Sequence, residues 1–432
     1  MQISYQKTLD VRYKTDVLVA GGGPAGVAAA VMCARTQKRL GGTVLLLEQS
    51  GTFGGSSTLA GVPELMNFDD GKNFLAKGFG HEIYTALYGD CPMDRSWPTV
   101  RTERLKLLYD RLMEESGAGF HFYSRIVDVI VQDGAVTHAI VSAPEGIYAI
   151  ETGMIVDCTG SGTVCALAGC SFAYGDENGI PMSATLCSLW GGVDFSQKKN
   201  DGAWIGRAMQ DGVFTQYDTV LPGIKPTYPE LGVGGGNIGH CFGVKDIDTE
   251  SITQAMVNGR RILEEYQTYY NRYVPGCANA VLMDSANYLG VRESRRICCI
   301  ETLSETDFFD QGQKPNEIGR YSYPIDIHPM TADNKGMQDF GRHVSCRHGA
   351  GESYSIPYGC LVPKGIRNLL VAGRSLGADH PMQASVRVIP GCYITGQAAG
   401  IAAAICVRDH TDAKDLDIAA LQALLAEFCR GE

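Results

Sequence analysis

Apolar runs that end at or near glycine cluster towards the two ends of the chain. They are Asp16 to Ala20 (DVLVA), Thr43 to Leu47 (TVLLL), Met154 to Asp157 and Asn368 to Ala372 (NLLVA). Short runs without polar alternation predict strands buried on both faces of a parallel sheet. Gly26 to Arg35 (GVAAAVMCAR) is rich in alanine and predicts a helix joining the first two strands into a βαβ unit. Residues 101–116 carry Leu105, Leu108 and Leu112 at helical spacing and stop at Gly117. Phe120 to Tyr123, Ile126 to Gln132, Thr137 to Ser142 and Ile147 to Glu151 predict further strands, with Asp133-Gly134 as a hairpin turn.

From about 170 to 350 the pattern changes to aromatic residues and loops rich in Gly and Pro, with one clear helix. That helix runs roughly from Thr249 to Tyr273, with Asp248 or Thr249 as its N-cap. The first pattern returns near 350 and closes on an alanine-rich helix after Pro390. A chain of 432 residues exceeds what one hydrophobic core usually organises. The expectation is an α/β protein: a discontinuous Rossmann-like domain, 1–170 and 350–432, with an α+β substrate domain, 171–349, inserted.

Gly21-x-Gly23-x-x-Gly26 follows the first strand and opens the helix. The first glycine permits a tight turn, the second lets backbone approach a pyrophosphate, and the third lets helix pack on strand. The free N–H groups of the helix end suit phosphate. Glu48 ends the second strand, where a carboxylate can accept hydrogen bonds from ribose hydroxyls. Gly54-Gly55-Ser56-Ser57-Thr58 then supplies a second glycine pair, and VAGR at 371–374 a distant second contact region. Both suit an elongated FAD better than NAD. GVGGGNIGH at 232–240 is the one rival glycine run; it lacks a preceding apolar strand and a following helix. We reject it as a nucleotide loop.

With DVLVAGGGPAGVAAA, LLLEQSGTFGGSSTLAG, VDCTGSGTVCALAG, NYLGVRESRRI and IPYGCLVPKGIRNLLVAGRSLGADHPMQASVRVIPGCYITGQAAGIAAA, the chain resembles FAD-dependent oxidoreductases related to the fumarate reductase and succinate dehydrogenase flavoproteins. The resemblance implies that Gly21, Gly23, Pro24, Ala25, Gly26, Glu48 and Gln49 hold the ADP half of FAD. It implies that Gly54, Gly55, Ser56 and Ser57 lie along the ribityl and flavin side, with Thr159 and Gly160 near the adenosine. Val127 falls in the strand that offers backbone to adenine in similar flavoproteins. Gly373, Arg374, Arg387 and Gly396 complete the expected cofactor contacts. Many flavoproteins carry Asp where Arg374 stands, so the ribityl carboxylate is either Asp379 or absent. Pro390 and the Gly396/Gly400 spacing suit a helix whose N-terminal end faces the flavin, against a plain packing helix of small residues. Such an end contributes about 0.3–1 kcal/mol to a nearby negative charge. No histidine lies in GGSSTLAG, so FAD is expected to be non-covalent.

The candidate catalytic residues are Arg292, His328 and His380. Arg292, in GVRESRRI, reads equally as part of an ion-pair network with Glu293 or as a contact to substrate or flavin. His328, between prolines in PIDIHP, reads equally as structural or catalytic. His380 follows Asp379 directly after the cofactor strand. His240 and Asn237 lie in the glycine-rich run and could cover the active site. Arg292, Arg374 and Arg387 near a flavin suit a small carboxylate or polyhydroxylated substrate. The expected activity is hydride transfer between flavin N5 and that substrate. The alternative is an oxygen-reactive monooxygenase or an electron-transfer subunit. Either implies a further electron donor or acceptor.

Composition narrows this only slightly. A net charge of −11 without a basic block argues against nucleic acid. The fifteen cysteines include no CxxC pair, so neither a metal site nor a disulfide framework is expected, and a reducing, cytoplasmic setting fits. Cys298 and Cys299 are expected to be buried thiols. The polar N-terminus lacks the apolar core of a signal peptide, and no membrane span is expected. A homo-oligomer is compatible with the sequence.

Overall fold

The computed structural model describes residues 3–198 and 201–430. Strand β1 (Val11–Ala20) leads through glycines into helix α1 (Pro24–Leu40), and β2 (Val44–Leu47) follows, as the sequence predicts. β3 (Gly119–His121), β4 (Arg125–Gln132), β5 (Ala135–Ala143) and β6 (Gly146–Asp157) complete the first stretch. The strand order is β3-β2-β1-β6-β5-β4, and the Leu369–Val371 strand also pairs with β6. β1, β2, β3, β6 and Leu369–Val371 run parallel, while β4, β5 and β6 form an antiparallel meander. Asp133 and Gly134 both adopt positive φ in the β4–β5 turn, as a two-residue hairpin requires.

The two runs expected at 147–151 and 154–157 are one continuous strand, β6. Gly153 does not break it; a Cβ there would come within 3.0 Å of the Asp16 carbonyl oxygen, so the glycine permits close passage of β1. β6 is the hinge of the sheet. Its first half pairs with β5 and its second half with Leu369–Val371.

The Ile389–Asp409 helix lies across α1. An added Cβ at Gly396 would sit 2.2 Å from the Ala25 carbonyl oxygen, and one at Gly400 2.1 Å from that of Ala29. The small-residue face of each helix therefore lets the backbones touch. By length and composition this helix could cross a membrane, yet residues 389–406 are all buried inside the protein. A further helix, Ile418–Phe428, which the sequence reading did not separate, follows it.

The inserted region has its own core, from Ala184 to Leu289, around Trp190, Tyr266, Tyr269 and Tyr270. Its four-stranded sheet is built from Ser188–Gly191, Ile224–Tyr228, Val233–Gly236 and Val281–Ser285. The helix Thr249–Tyr273 packs on it, capped by Asp248, whose side chain accepts from Ser251 N–H. Leu303, Phe308, Ile318, Tyr321, Tyr323, Ile325 and Ile327 instead join the main core. Packing thus returns to the cofactor domain well before 349. Cys298 is exposed and Cys299 buried, because neighbours in extended backbone point to opposite sides. This corrects the expectation that both thiols are buried.

Candidate active site

The glycine motif after β1 has three distinct environments. Gly21 has φ +91°, and a Cβ there would meet the Cys158 carbonyl oxygen at 2.7 Å. At Gly26 it would lie 1.8 Å from the Gly21 carbonyl oxygen, so only glycine lets α1 close on the turn. At Gly23 it would meet nothing within 4 Å. The motif is therefore tight at both ends and open in the middle, at the N-terminus of α1, as pyrophosphate binding requires. Pro24 occupies the first turn of that helix.

The second glycine pair lies against the first. Gly54 N–H donates to Gly22 O at 2.8 Å, and a Cβ at Gly55 would come 3.2 Å from Gly23 Cα. Ser56 is half-buried beside them, while Ser57 is buried and donates to Gly54 O at 2.7 Å. The Glu48 carboxylate is buried and accepts from Gly22 N–H and Ser50 N–H, both at 2.7 Å. Gln49 is exposed. These features fit a dinucleotide, because backbone amides and one fixed carboxylate line an open approach that any side chain at Gly23 would fill.

The other expected cofactor residues divide. Thr159 donates to Asp157 Oδ1 at 2.7 Å, and Gly160 has φ +72° beside it. Val127 sits at an irregularity in the β4–β5 register, between Ile126 and Asp128, and is exposed. Gly373 has φ +75°, and its N–H donates to Thr395 Oγ1 at 3.2 Å. Arg374 donates to Gly160 O and Val291 O, which ties the cofactor strands to the insertion. Asp379 caps the His380–Val386 helix, accepting from Met382 N–H at 2.9 Å, and also accepts from Glu305 N–H at 2.7 Å. Its carboxylate is thus engaged by backbone. Gly396 is a correction: the space its missing side chain leaves is filled by Ala25 of α1, so it packs helix on helix.

A buried polar cluster forms where the insertion meets the main core. Arg292 donates to Ser183 O at 2.8 Å, Thr185 Oγ1 at 2.9 Å and Asn237 Oδ1 at 3.0 Å. All three partners are neutral. Burial and the neighbouring Arg387 charge push its pKa down to about 10. The ring of His328 makes contacts at both nitrogens. Nδ1 lies 2.8 Å from His240 Nε2, and Nε2 lies 3.3 Å from Asp326 Oδ2. His240 Nδ1 in turn lies 2.9 Å from Asp218 Oδ2. Asp326 also accepts from Tyr323 Oη and Arg387, each at 3.1 Å. Burial and the Arg292 charge push His328 down to about 3. Burial alone would raise Asp326, but His328, Arg387 and Arg292 hold it well below the usual carboxylate range.

The sequence candidates are therefore split. Arg292, His328 and Arg387 come together, joined by Asn237 and His240 from the glycine run. That run is itself the Val233–Gly236 strand, with no room for side chains: a Cβ at Gly235 would lie 2.4 Å from Pro63 Cβ. His380 is elsewhere, 3.5 Å from Glu293, which also pairs with Arg296 and accepts from Met182 N–H. The ion-pair expectation for GVRESRRI holds at Glu293 and Arg296, whereas Arg292 turns away from that pair. With Arg296, His343 and Met330, His380 lines a separate cleft of about 370 Å³. Asp218 and Asp326 were missed. Asp326, two residues before His328 in PIDIHP, was readable as a partner; nothing local marks Asp218. Among the described residues, no group of three or more His, Cys, Asp or Glu is placed to hold a metal ion.

The fold and the paired glycine motifs define a dinucleotide-binding α/β protein. Residues 16–425 match the family model described as FAD dependent oxidoreductase, and the chain belongs to that family. It is an FAD-dependent oxidoreductase and its cofactor is FAD. No curated protein matches the sequence. Among solved structures, it is similar to a geranylgeranyl bacteriochlorophyll reductase-like protein from Thermoplasma acidophilum. Identity is 11%, TM-score 0.46, covering 96% of this chain and 82% of that one. It is also similar to p-nitrophenol 4-monooxygenase from Pseudomonas putida, with 12% identity, TM-score 0.45 and coverage of 97% and 85%. Likenesses this distant carry no argument about substrate.

Proposed function

We propose that the enzyme transfers hydride between FAD and a carbon of a small polar substrate, a carboxylate or polyhydroxylated compound, with Arg292 and His328 facing it. One observation carries the reading: Arg292 is a buried guanidinium whose hydrogen-bond partners are all neutral. Burying a charge with no carboxylate in contact costs several kcal/mol on the order-of-magnitude scale, and Asp326 acts on Arg292 only through space. A substrate carboxylate would supply the match, and a planar guanidinium holds a carboxylate in fixed orientation.

FAD, when bound, supplies the exchange of a hydride at flavin N5. The chain supplies the rest. Gly21, Gly23, Gly26, Gly54 and Gly55 bring backbone to the cofactor, and Glu48 fixes the turn between the two glycine motifs. Arg292 orients the substrate, and His328 holds or accepts the proton at Nε2. The kinship with fumarate reductase and succinate dehydrogenase flavoproteins rests on the quoted sequence segments. The fifteen cysteines, none in a disulfide, support a reducing compartment. An external electron donor or acceptor completes the turnover.

The test is anaerobic stopped-flow of the flavin spectrum with small carboxylates and polyols, followed by oxygen. Flavin reduction or reoxidation by such a compound, lost in Arg292→Ala with FAD still bound, is the expected result. Oxygen-coupled hydroxylation of the substrate would replace this reading with a monooxygenase. FAD released by acid precipitation confirms non-covalent binding; flavin remaining on the protein refutes it.

A further inference from the structure

Besides the Arg292 cluster, the inserted core meets the cofactor half of the molecule at a second place. The segment Ala286 to Tyr288 leaves the Val281–Ser285 strand and lies against the loop that carries the second glycine pair. Ala286 N–H donates to Cys187 O at 2.9 Å, which keeps the segment on the inserted core. Tyr288 N–H donates to Leu59 O at 3.4 Å, and Leu59 N–H donates to Gly55 O at 2.8 Å. A Cβ at Gly61 would lie 3.6 Å from that of Ala286, an ordinary packing contact. Backbone therefore fixes the point from which the Tyr288 ring projects.

The ring itself stands open. Tyr288 is 40% exposed, yet its phenol feels both the buried Glu48 carboxylate at the end of β2 and Arg125 at the start of β4. Burial and then the Glu48 charge push the phenol pKa up, against the pull of Arg125, so the group is uncharged at neutral pH. Ser124 N–H donates to Glu48 O at 2.9 Å and brings the start of β4 alongside, with exposed Val127 two residues beyond Arg125. Each Glu48 oxygen accepts one backbone N–H. A carboxylate offers about four lone-pair sites, so Glu48 keeps capacity for hydroxyl donors.

We propose that Tyr288 closes the adenosine end of the FAD site, so that the inserted core helps to hold the cofactor. A single exposed ring is ordinary on a protein surface. This one differs because it arises from one core and overhangs the carboxylate of the other. A carboxylate with spare acceptor sites beside an uncharged aromatic ring matches a nucleoside: ribose hydroxyls for Glu48 and a flat base for the ring. Adenine covering Tyr288 would also remove its apolar face from water. FAD then joins the two cores, and its adenosine adds to affinity from both sides.

The inference rests on FAD as the cofactor and on none of the proposed substrate chemistry, so either can fail while the other stands. The test is titration of the apoprotein with FAD by flavin fluorescence, with ADP as competitor. Base–aromatic stacking implies that Tyr288→Ala binds FAD about 10- to 100-fold more weakly, and ADP by the same factor. Tyr288→Phe keeps the ring and should stay close to wild type for both. Unchanged FAD affinity in Tyr288→Ala overturns the proposal. Weaker FAD binding with ADP held as in wild type also overturns it, since the ring would then serve the flavin end. The Tyr288→Ala apoprotein should unfold at the wild-type temperature, because backbone holds the segment in place. Should it unfold earlier, Tyr288→Leu, which keeps apolar bulk without a flat ring, carries the same titrations with the same outcomes.

Discussion

An added methyl group at Gly26 would lie 1.8 Å from the Gly21 carbonyl oxygen, whereas at Gly23 it would meet nothing within 4 Å. The backbone at Gly23 (φ −67°, ψ −177°) also accepts alanine without strain. The two substitutions should therefore fail in different ways. Gly23→Ala should unfold at the wild-type temperature without FAD, yet bind FAD at least about tenfold more weakly, because the methyl enters the pyrophosphate space. Gly26→Ala should lower stability itself by about 1–3 kcal/mol, as overpacking does. Thermal unfolding of the apoprotein beside flavin fluorescence titration separates the two, and equal stabilities would refute the packing argument. The acid side is also readable at single residues. His328 is held at about 3 in the folded chain, against an ordinary value near 6.5. Between those values the unfolded chain binds more protons, so stability rises with pH and is lost on acidification. Asp326, also depressed, adds a loss in the same direction at lower pH. We expect the unfolding temperature to fall from about pH 6.5 towards pH 3, with a shallower slope in His328→Gln. An identical slope in the variant would remove His328 as its source.

Helix Thr249–Tyr273 was legible in outline, because its apolar positions keep one period over twenty-five residues, and of the two cap candidates Asp248 is the one that caps it. The Val233–Gly236 strand was not. Its glycines carry no apolar alternation, and their reason lies in distant neighbours such as Pro63 and Ser188 that no local window contains. The same limit explains Gly396. The spacing Gly396/Gly400 was visible, but whether it faced flavin or helix depended on where α1 lies. The Cβ contacts decide for the helix, which gives an expected outcome at this scale. Gly400→Val would drive a branched side chain into the Ala29 carbonyl oxygen, and the helix, buried from Ile389 to Cys406, cannot move outwards. Such overpacking should cost about 3 kcal/mol or more and lower the unfolding temperature even with FAD saturating. Stability within about 0.5 kcal/mol of wild type would mean that the helices separate easily.

The site is a property of the whole chain, since its parts come from both cores. Asp218, Asn237, His240 and Arg292 belong to or border the inserted core, whereas Asp326, His328 and Arg387 come with the main one. The sequence marked the cofactor half because its motif is continuous, and left the other half open because the polar string joins positions 218, 240, 326 and 328. What holds the halves in register is therefore decisive, and Arg374 is the residue placed to do it. Its half-buried guanidinium donates to Gly160 O on the sheet side and Val291 O beside Arg292. Removing it leaves two carbonyl oxygens without that donor, a loss of about 1 kcal/mol for each hydrogen bond. If Arg374 is this clamp, Arg374→Met should lower kcat/KM far more than FAD affinity, since the glycine motifs around Gly23 do not depend on it. Calorimetry should then broaden or split the unfolding transition, as the inserted core loosens before the sheet. If Arg374 instead contacts the cofactor, as its position after Gly373 suggests, FAD affinity and kcat/KM should fall together and the transition should stay single. Flavin titration, steady-state kinetics and one calorimetric scan on the same variant distinguish a clamp between two cores from a cofactor ligand.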